Sequence, residues 1–423
     1  MTSPLVSIRS QAADGISRGS GSFEGVVKVL HFIAEPRSWQ FFYGQPEYLR
    51  AHGFEFHAAS SPGPLLDRFG RTNGVAVHPV PVERRLSVFS DLVSVWRLLR
   101  VLREVRPDIL HSHFSKPGVI GMVAGFLARI PIRIYHNHGM ALSSARGWKR
   151  ALLWSVEKLA CLLAHRVVYV APSVREDAAR WHVCGAGKSQ ALLSANGLDY
   201  ANRFTRRLYG PEYRDRGRKS LHIPDDAFVV GFVGRILKIK GIDELVGAWQ
   251  LLAPTEPKLH LVVVGEFDSR DPISSWAEAI LRTDSRIHLT RFVEEPAALY
   301  PVMDALVQPS YHEGLGYSML EGAAMELPVV GTRIPGTVDA IRENVTGILV
   351  EPRNPEELAS AIRIYMRDPA LASAHGRAGR EYVVQHFRRS AVWEGILRIY
   401  HQLLDERIAA RHTLVDRRVR GAL

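Results

Sequence analysis

Apolar positions in this chain fall into short β-branched runs separated by longer stretches with an apolar residue every three or four positions. The short runs cover 26–34, 54–60, 74–80, 108–114, 131–137, 167–171 and 191–196 in the first half. In the second half they cover 228–234, 259–265, 287–290, 304–310, 328–332 and 347–352. Each is long enough for one strand, and few alternate apolar with polar, so they predict strands buried on both faces. The stretches between them, such as SDLVSVWRLLRVLREVR and IDELVGAWQLL, carry the helical period. Strand–helix alternation of this density predicts an α/β chain of parallel sheets with helices on both sides. The alternation pauses at 204–224, a charged stretch without an apolar period that reads as a linker. Two doubly wound, Rossmann-like domains are therefore expected, at 24–203 and 225–388, facing each other across a cleft. Residues 1–23 are rich in Ser, Gly and Arg and read as a disordered lead.

Composition adds limits. The 423 residues are 46% hydrophobic and 23% charged, ordinary for a globular chain of two or three domains. Cys161 and Cys184 are too few for a disulfide framework, which suits a reducing compartment. No apolar run reaches the ~18 residues of a membrane span. The net charge of +11 is uneven: residues 141–220 hold fifteen Lys/Arg against six Asp/Glu. Such an excess suits an anionic surface or a phosphate-bearing partner, or simply a solvated face. No zinc-finger spacing or array of interleaved aromatic and basic residues points to nucleic acid.

The chemistry concentrates in PSYHEGLGYSMLEGAAMELPVVGT, residues 309–332. Glu313 follows an apolar run, and Glu321 lies on the amphipathic segment beyond it. Between them Gly314, Leu315, Gly316, Tyr317 and Ser318 form a small-residue loop leading into a helix start, which presents N–H groups to an anion. Two carboxylates flanking such a loop suit a diphosphate with a polyol at each end, as in a nucleotide-sugar. In FVGRILKIKG, Gly234 ends a strand, and Arg235 and Lys240 project from the loop after it, where cations would neutralise a leaving diphosphate. Two His-x-His pairs, His111/His113 and His136/His138, end strands of the first half. No Cys or carboxylate accompanies them, so no metal site is expected. His138, before Gly139, is the one placed to line a cleft. Asn196-Gly197 is a turn signal. There is no P-loop, no G-x-G-x-x-G after the first strand and no Asp-x-Asp.

These residues resemble the retaining GT-B glycosyltransferases of glycosyltransferase family 4, from about Val26 to Leu404. EGLGYSMLE is similar to that family's E-x7-E element, and GRILKIKG to its Arg- and Lys-bearing loop. RPDILHSHFSKPGVIGMVAG and RIYHNHGM resemble acceptor-side elements of members that build capsular, O-antigen or exopolysaccharide chains. The resemblance implies an acceptor-binding domain (24–203) and a nucleotide-sugar domain (225–388). A helix (389–405) would pack back towards the first domain, followed by a basic tail (406–423). It implies that Glu321 binds ribose, Glu313 the donor sugar, Gly314–Ser318 the diphosphate and sugar, and Arg235 and Lys240 the phosphates. His138 would sit beside the sugar. No metal or other cofactor is implied. Where the family often has a glycine-rich loop, this chain reads AEPRSWQFFYGQ, so Arg37 or Trp39 is expected to contribute instead. Glu326-Leu327 replaces the family's usual glycine before PVV.

The segment 144–166 sets Arg146, Lys149 and Arg150 beside Trp148, Leu152, Leu153 and Trp154. That mixture suits an anionic bilayer, although a core helix with a basic start reads similarly. Together these features predict a cytoplasmic, membrane-peripheral transferase. It would move a hexose or N-acetylhexosamine from a UDP-sugar to a polyprenyl-diphosphate-linked saccharide. A nucleotide-sugar 2-epimerase of the same architecture and a catalytically silent nucleotide- or glycan-binding protein are the alternatives.

Overall fold

The computed structural model describes residues 25–83, 87–140, 142, 145–193, 199–290, 293 and 295–420, with backbone alone for 411–420. The lead at 1–23 and the Asn196-Gly197 turn lie outside these residues. Two all-parallel sheets carry the fold. The first holds β1 (Val27–Phe32), β2 (Phe54–Ser60), β3 (Ala76–Pro79), β4 (Ile109–His113), β5 (Ile132–Asn137), β6 (Arg166–Tyr169) and β7 (Ser189–Ala191). Its order is β3-β2-β1-β4-β5-β6-β7. The second holds β8 (Phe228–Val233), β9 (Leu259–Val264), β10 (Ile287–Thr290), β11 (Ala305–Gln308), β12 (Val329–Thr332) and β13 (Gly347–Val350), in the order β10-β9-β8-β11-β12-β13. The strand order reverses at β1/β4 and at β8/β11, and parallel sheets bind ligands beyond the carboxyl ends of strands at such points.

The strands are continuous apolar runs because both sheet faces are covered. In the first sheet, Val29, Ile109, Ile134 and Val168 pack with Trp393, Ile396, Leu397 and Leu403 of the C-terminal helix Arg389–Arg420. The other face packs on three helices, Val88–Val105, Ser115–Leu127 and Gly147–Leu163. In the second sheet, Val230, Phe232, Leu261 and Val263 pack on the helices Ile242–Leu252 and Pro355–Arg367.

The structure differs from the sequence reading in three places. The 204–224 stretch is not an unstructured linker, because residues Pro211–Ser220 form a helix. Its buried residue is Arg218 rather than an apolar one. The Arg218 guanidinium lies 2.7 Å from Asp304 and donates to the Asp225 and Ala227 carbonyls, so the hydrophobic period that marks most helices is missing. The C-terminal helix does not stop at 405. It continues to Arg420 through a sequence with no Gly or Pro to end it. The strand expected at 191–196 forms earlier, at Ser189–Ala191.

Candidate active site

Glu313 is set by the loop that leaves β11. Gly241, at φ +70°, packs so tightly on this loop that a Cβ there would lie 1.9 Å from the Pro309 carbonyl oxygen. Glycine alone permits this approach, and it brings the preceding Lys240 onto Glu313. The Lys240 Nζ stands 2.5 Å from Glu313 Oε1, and the Ser310 hydroxyl donates to the same oxygen over 2.7 Å. The Thr332 hydroxyl holds the Ser310 carbonyl. Burial pushes the Glu313 carboxyl up, but the Lys240 charge, the hydrogen bonds from Lys240 and Ser310, and His312 outweigh it and hold the group below its ordinary range.

Glu321 meets different surroundings. It lies on the helix Tyr317–Ala324, whose N-cap is Gly316 in the left-handed region, with no side chain capping the start. The Tyr300 hydroxyl donates to Glu321 Oε2 over 2.6 Å. Arg203 acts on Glu321 only at a distance and is itself paired with Glu295 at 3.2 Å. Burial dominates and pushes the Glu321 carboxyl up to about 7.

The first domain meets this site through the loop after β5. Asn137 shapes that loop. Its Nδ2 donates to Glu157 Oε2 over 3.0 Å, and its Oδ1 accepts from the Gly139 N–H over 2.9 Å. Gly139 then lies against the Glu313–Gly314 backbone. A Cβ on Gly314 would stand 2.1 Å from the His138 carbonyl oxygen, so the two domains touch here backbone to backbone. His138 stacks on Phe114 with ring centroids 4.3 Å apart, and its Nδ1 lies 3.5 Å from the Tyr317 hydroxyl. Burial, with a lesser effect from His136, holds His138 well below the ordinary imidazole value, so it is neutral. Phe41 stacks on Tyr317 from the first domain at 5.7 Å. Beside them the Ser173 hydroxyl donates to Asp339 and accepts from the Gly336 N–H over 2.7 Å.

Glu313, Lys240, Gly314, Gly316, Tyr317 and His138 thus come together at the point where the domains meet. Arg235, following Gly234 at the end of β8, is largely exposed and pairs with Asp268 at 3.1 Å. Ser318 accepts from the Tyr300 hydroxyl at 3.4 Å through its carbonyl. The Leu315 side chain is fully buried in the core, leaving only its backbone for a ligand. Trp39 does not replace a glycine-rich loop. It is buried, stacked on Phe69 at 4.8 Å, and donates to Ser60 over 3.0 Å. Arg37 is exposed and lines a cavity of about 440 Å³ with Glu35, Ser61 and Pro64. Sequence reasoning missed Ser310, Tyr300, Asn137, Glu157 and His31. For His31 a signal was present: an imidazole inside an otherwise apolar strand must find a buried partner.

The comparisons agree with this geometry. A model described as "Glycosyl transferase 4-like domain" matches residues 39–197, and one described as "Glycosyl transferases group 1" matches residues 214–382. The chain is 29% identical over 381 residues to the capsular polysaccharide biosynthesis glycosyltransferase CapM of Staphylococcus aureus, covering 90% of this chain and 98% of CapM. It is 30% identical over 291 residues to a D-inositol 3-phosphate glycosyltransferase of Geodermatophilus obscurus, covering 64% of this chain and 62% of that protein. Among solved structures, Anabaena Alr3699/HepE in complex with UDP-glucose superposes with a TM-score of 0.73 at 19% identity, covering 89% of this chain and 99% of that one. WaaG, a glycosyltransferase involved in lipopolysaccharide biosynthesis, superposes with a TM-score of 0.67 at 15% identity, covering 88% and 99%. Two facing Rossmann-like domains, matched in order by these two models, make the chain a glycosyltransferase of GT-B architecture.

Proposed function

We propose that the chain is a retaining, family 4 hexosyl- or N-acetylhexosaminyltransferase of capsular or related cell-surface polysaccharide biosynthesis. It takes its sugar from a UDP-sugar and adds it to a saccharide on a polyprenyl diphosphate. The observation that carries this reading is the Lys240–Glu313 pair at the β8/β11 switch point, with His138 of the other domain beside it. Similarity supports the donor and the pathway. CapM is named for capsular polysaccharide biosynthesis, and HepE is seen in complex with UDP-glucose. CapM, the D-inositol 3-phosphate enzyme and WaaG are glycosyltransferases by name, which does not favour the epimerase alternative.

In this reading Glu321 accepts hydrogen bonds from the ribose hydroxyls. Glu313 accepts from the hexose, and the backbone of Gly314–Ser318 holds the diphosphate at the helix start. Lys240 and Arg235 stabilise the negative charge that develops on the leaving diphosphate, and no divalent metal is needed. His138 contacts the hexose from the acceptor side. The acceptor hydroxyl attacks on the face that the diphosphate leaves, and a phosphate oxygen takes its proton. That route retains the anomeric configuration without a covalent intermediate on Glu313.

The acceptor comes from a membrane. No helix among the described residues is long and apolar enough to cross one. The helix Gly147–Leu163 leaves Trp148, Leu152 and Leu162 exposed next to Arg146, Lys149 and Arg150, a face suited to an anionic bilayer on the cytoplasmic side.

Calorimetric titration of UDP and GDP into the wild type and Glu321→Ala, without divalent metal, tests the donor site. UDP should bind selectively, and loss of the charge-assisted hydrogen bond should weaken it by about 1.5–3 kcal/mol. Binding that is indifferent to Glu321, or no nucleotide binding at all, would remove the donor assignment and return the chain to the glycan-binding alternative.

A further inference from the structure

Five histidines of the first sheet form one connected array. Strand register places them together: His31 of β1 pairs with His111 of β4, and His113 of β4 pairs with His136 of β5. His138 follows β5. The array is closed from behind by Tyr400 of the C-terminal helix. The contacts run in a single line. His136 Nδ1 lies 3.2 Å from His111 Nε2, and His111 Nδ1 lies 2.7 Å from the Tyr400 hydroxyl. That hydroxyl lies 3.0 Å from His31 Nε2, and His31 Nδ1 lies 3.0 Å from His113 Nε2. His113 Nδ1 lies 3.3 Å from His138 Nε2, and His138 Nδ1 ends the line 3.5 Å from the Tyr317 hydroxyl. Within this line no ring nitrogen is used twice.

A neutral imidazole carries one N–H and one acceptor nitrogen, and a phenol one O–H. Every contact in the line needs one of each. Only two proton orderings satisfy all of them and also use the buried Tyr400 O–H within the line, one with every proton directed towards His138 and one with every proton directed away. Any other ordering either sets two donors or two acceptors face to face or makes Tyr400 accept from both neighbours and leaves its own O–H unpaired in the core, at about 1–3 kcal/mol per defect. Burial keeps the array uncharged: His31 and His136 are pulled down to about 3, and His111, His113 and His138 lie well below the ordinary imidazole range. Phe56 stacks on His31 at 4.4 Å and Phe114 on His138 at 4.3 Å, so aromatic rings cover both.

We propose that Tyr400 is a positioning residue which, through His31 and His113, sets the tautomer of His138. It thereby decides whether the Nδ1 of His138 donates or accepts at the site. The proposal rests on the reading of His138 as the residue that contacts the donor sugar. The same rings also form two triads, His31/His111/His113 and His113/His136/His138, whose ligand atoms lie within 4.8 Å of one another. In both triads the imidazole pairing already uses nitrogens that would bind a metal ion.

Histidine side-chain ¹⁵N spectra of the UDP-bound protein decide the matter, with the His138 signals assigned through His138→Gln. The wild type should show one tautomer at His138. Tyr400→Phe should give a mixture of tautomers and unchanged UDP affinity. With the UDP-hexose that supports turnover, kcat should fall between roughly ten- and a hundredfold, on the scale seen when the partner that orients a metal-bound imidazole is lost. Leu403→Ala perturbs the packing of the same helix without touching the line and should leave the tautomer alone. An unaltered His138 tautomer in Tyr400→Phe overturns the proposal, as does an equal change in Leu403→Ala. Stoichiometric zinc, nickel or copper bound through these nitrogens also overturns it in favour of a metal site. A changed tautomer with unchanged kcat would overturn the positioning role by showing that His138 does not act on the sugar, while UDP binding would still stand or fall on Glu321.

Discussion

Two glutamates eight positions apart in the sequence sit in opposite electrostatic surroundings. Glu313 is held ionised by Lys240 and Ser310, whereas Glu321 has the Tyr300 hydroxyl and no cation within bonding distance among the described residues. The consequence for stability has a definite sign. The Glu321 carboxyl moves from its ordinary 4.5 up to about 7 on folding. Between those values the folded state keeps a proton that the unfolded state has lost, so the group costs stability as pH rises through the window. Glu321→Gln should therefore match the wild type near pH 4 and become more stable by about 1–3 kcal/mol above pH 7, while losing UDP affinity. Urea denaturation at pH 5 and pH 8 checks this, and equal differences at both values would mean that Glu321 does not titrate between them. The sequence marked both carboxylates as a pair through their spacing. It could not separate their behaviour, because Lys240 reaches Glu313 only once Gly241 packs on Pro309.

At the scale of elements, all thirteen expected strands are present, with only the seventh displaced. Apolar runs bounded by turns are local signals, and tertiary packing did not override them. The helix Pro211–Ser220 escaped detection because an ion pair anchors it. The Asp304 carboxylate accepts from Arg218, from Arg214 at 2.7 Å and from the Val229 N–H at 2.7 Å. Arg218 is almost completely buried, so Arg218→Ala would leave part of that network unpaired in the core and should destabilise the protein by about 3–5 kcal/mol in urea denaturation. A loss below about 1 kcal/mol would place the pair with weak surface bridges instead. A polar anchor of this kind has no periodic signature, and only the partner, 86 residues away, reveals it.

At the scale of the molecule, the first domain presents a distinct face. The helix Gly147–Leu163 flanks Ser115–Leu127 on one side and Val88–Val105 flanks it on the other. The outer two expose Trp148, Leu152 and Leu162, and Val88, Phe89, Leu92 and Trp96, respectively. If this face docks on a bilayer, the protein should sediment with phosphatidylglycerol vesicles at low salt. Replacing Arg146, Lys149 and Arg150 together by Gln should weaken that binding by about 1 kcal/mol per charge removed. Sedimentation that ignores both salt and the triple variant would show that the basic start of this helix is only a solvated face. The sequence by itself determined the alternation of strand and helix, and with it the two parallel sheets. It also marked the residues at their carboxyl edges that carry charge or small side chains, since periodicity and turn chemistry are written within a few residues. Only the tertiary structure decided which of these residues meet. Sheet order brings His31 beside His111 and His113, and the returning C-terminal helix lays Tyr400 against His31 from 369 residues away. Backbone contact between the Gly139 and Gly314 loops closes the site. Burial and partner identity depend on how distant segments pack, and no local pattern of apolar and polar residues encodes that.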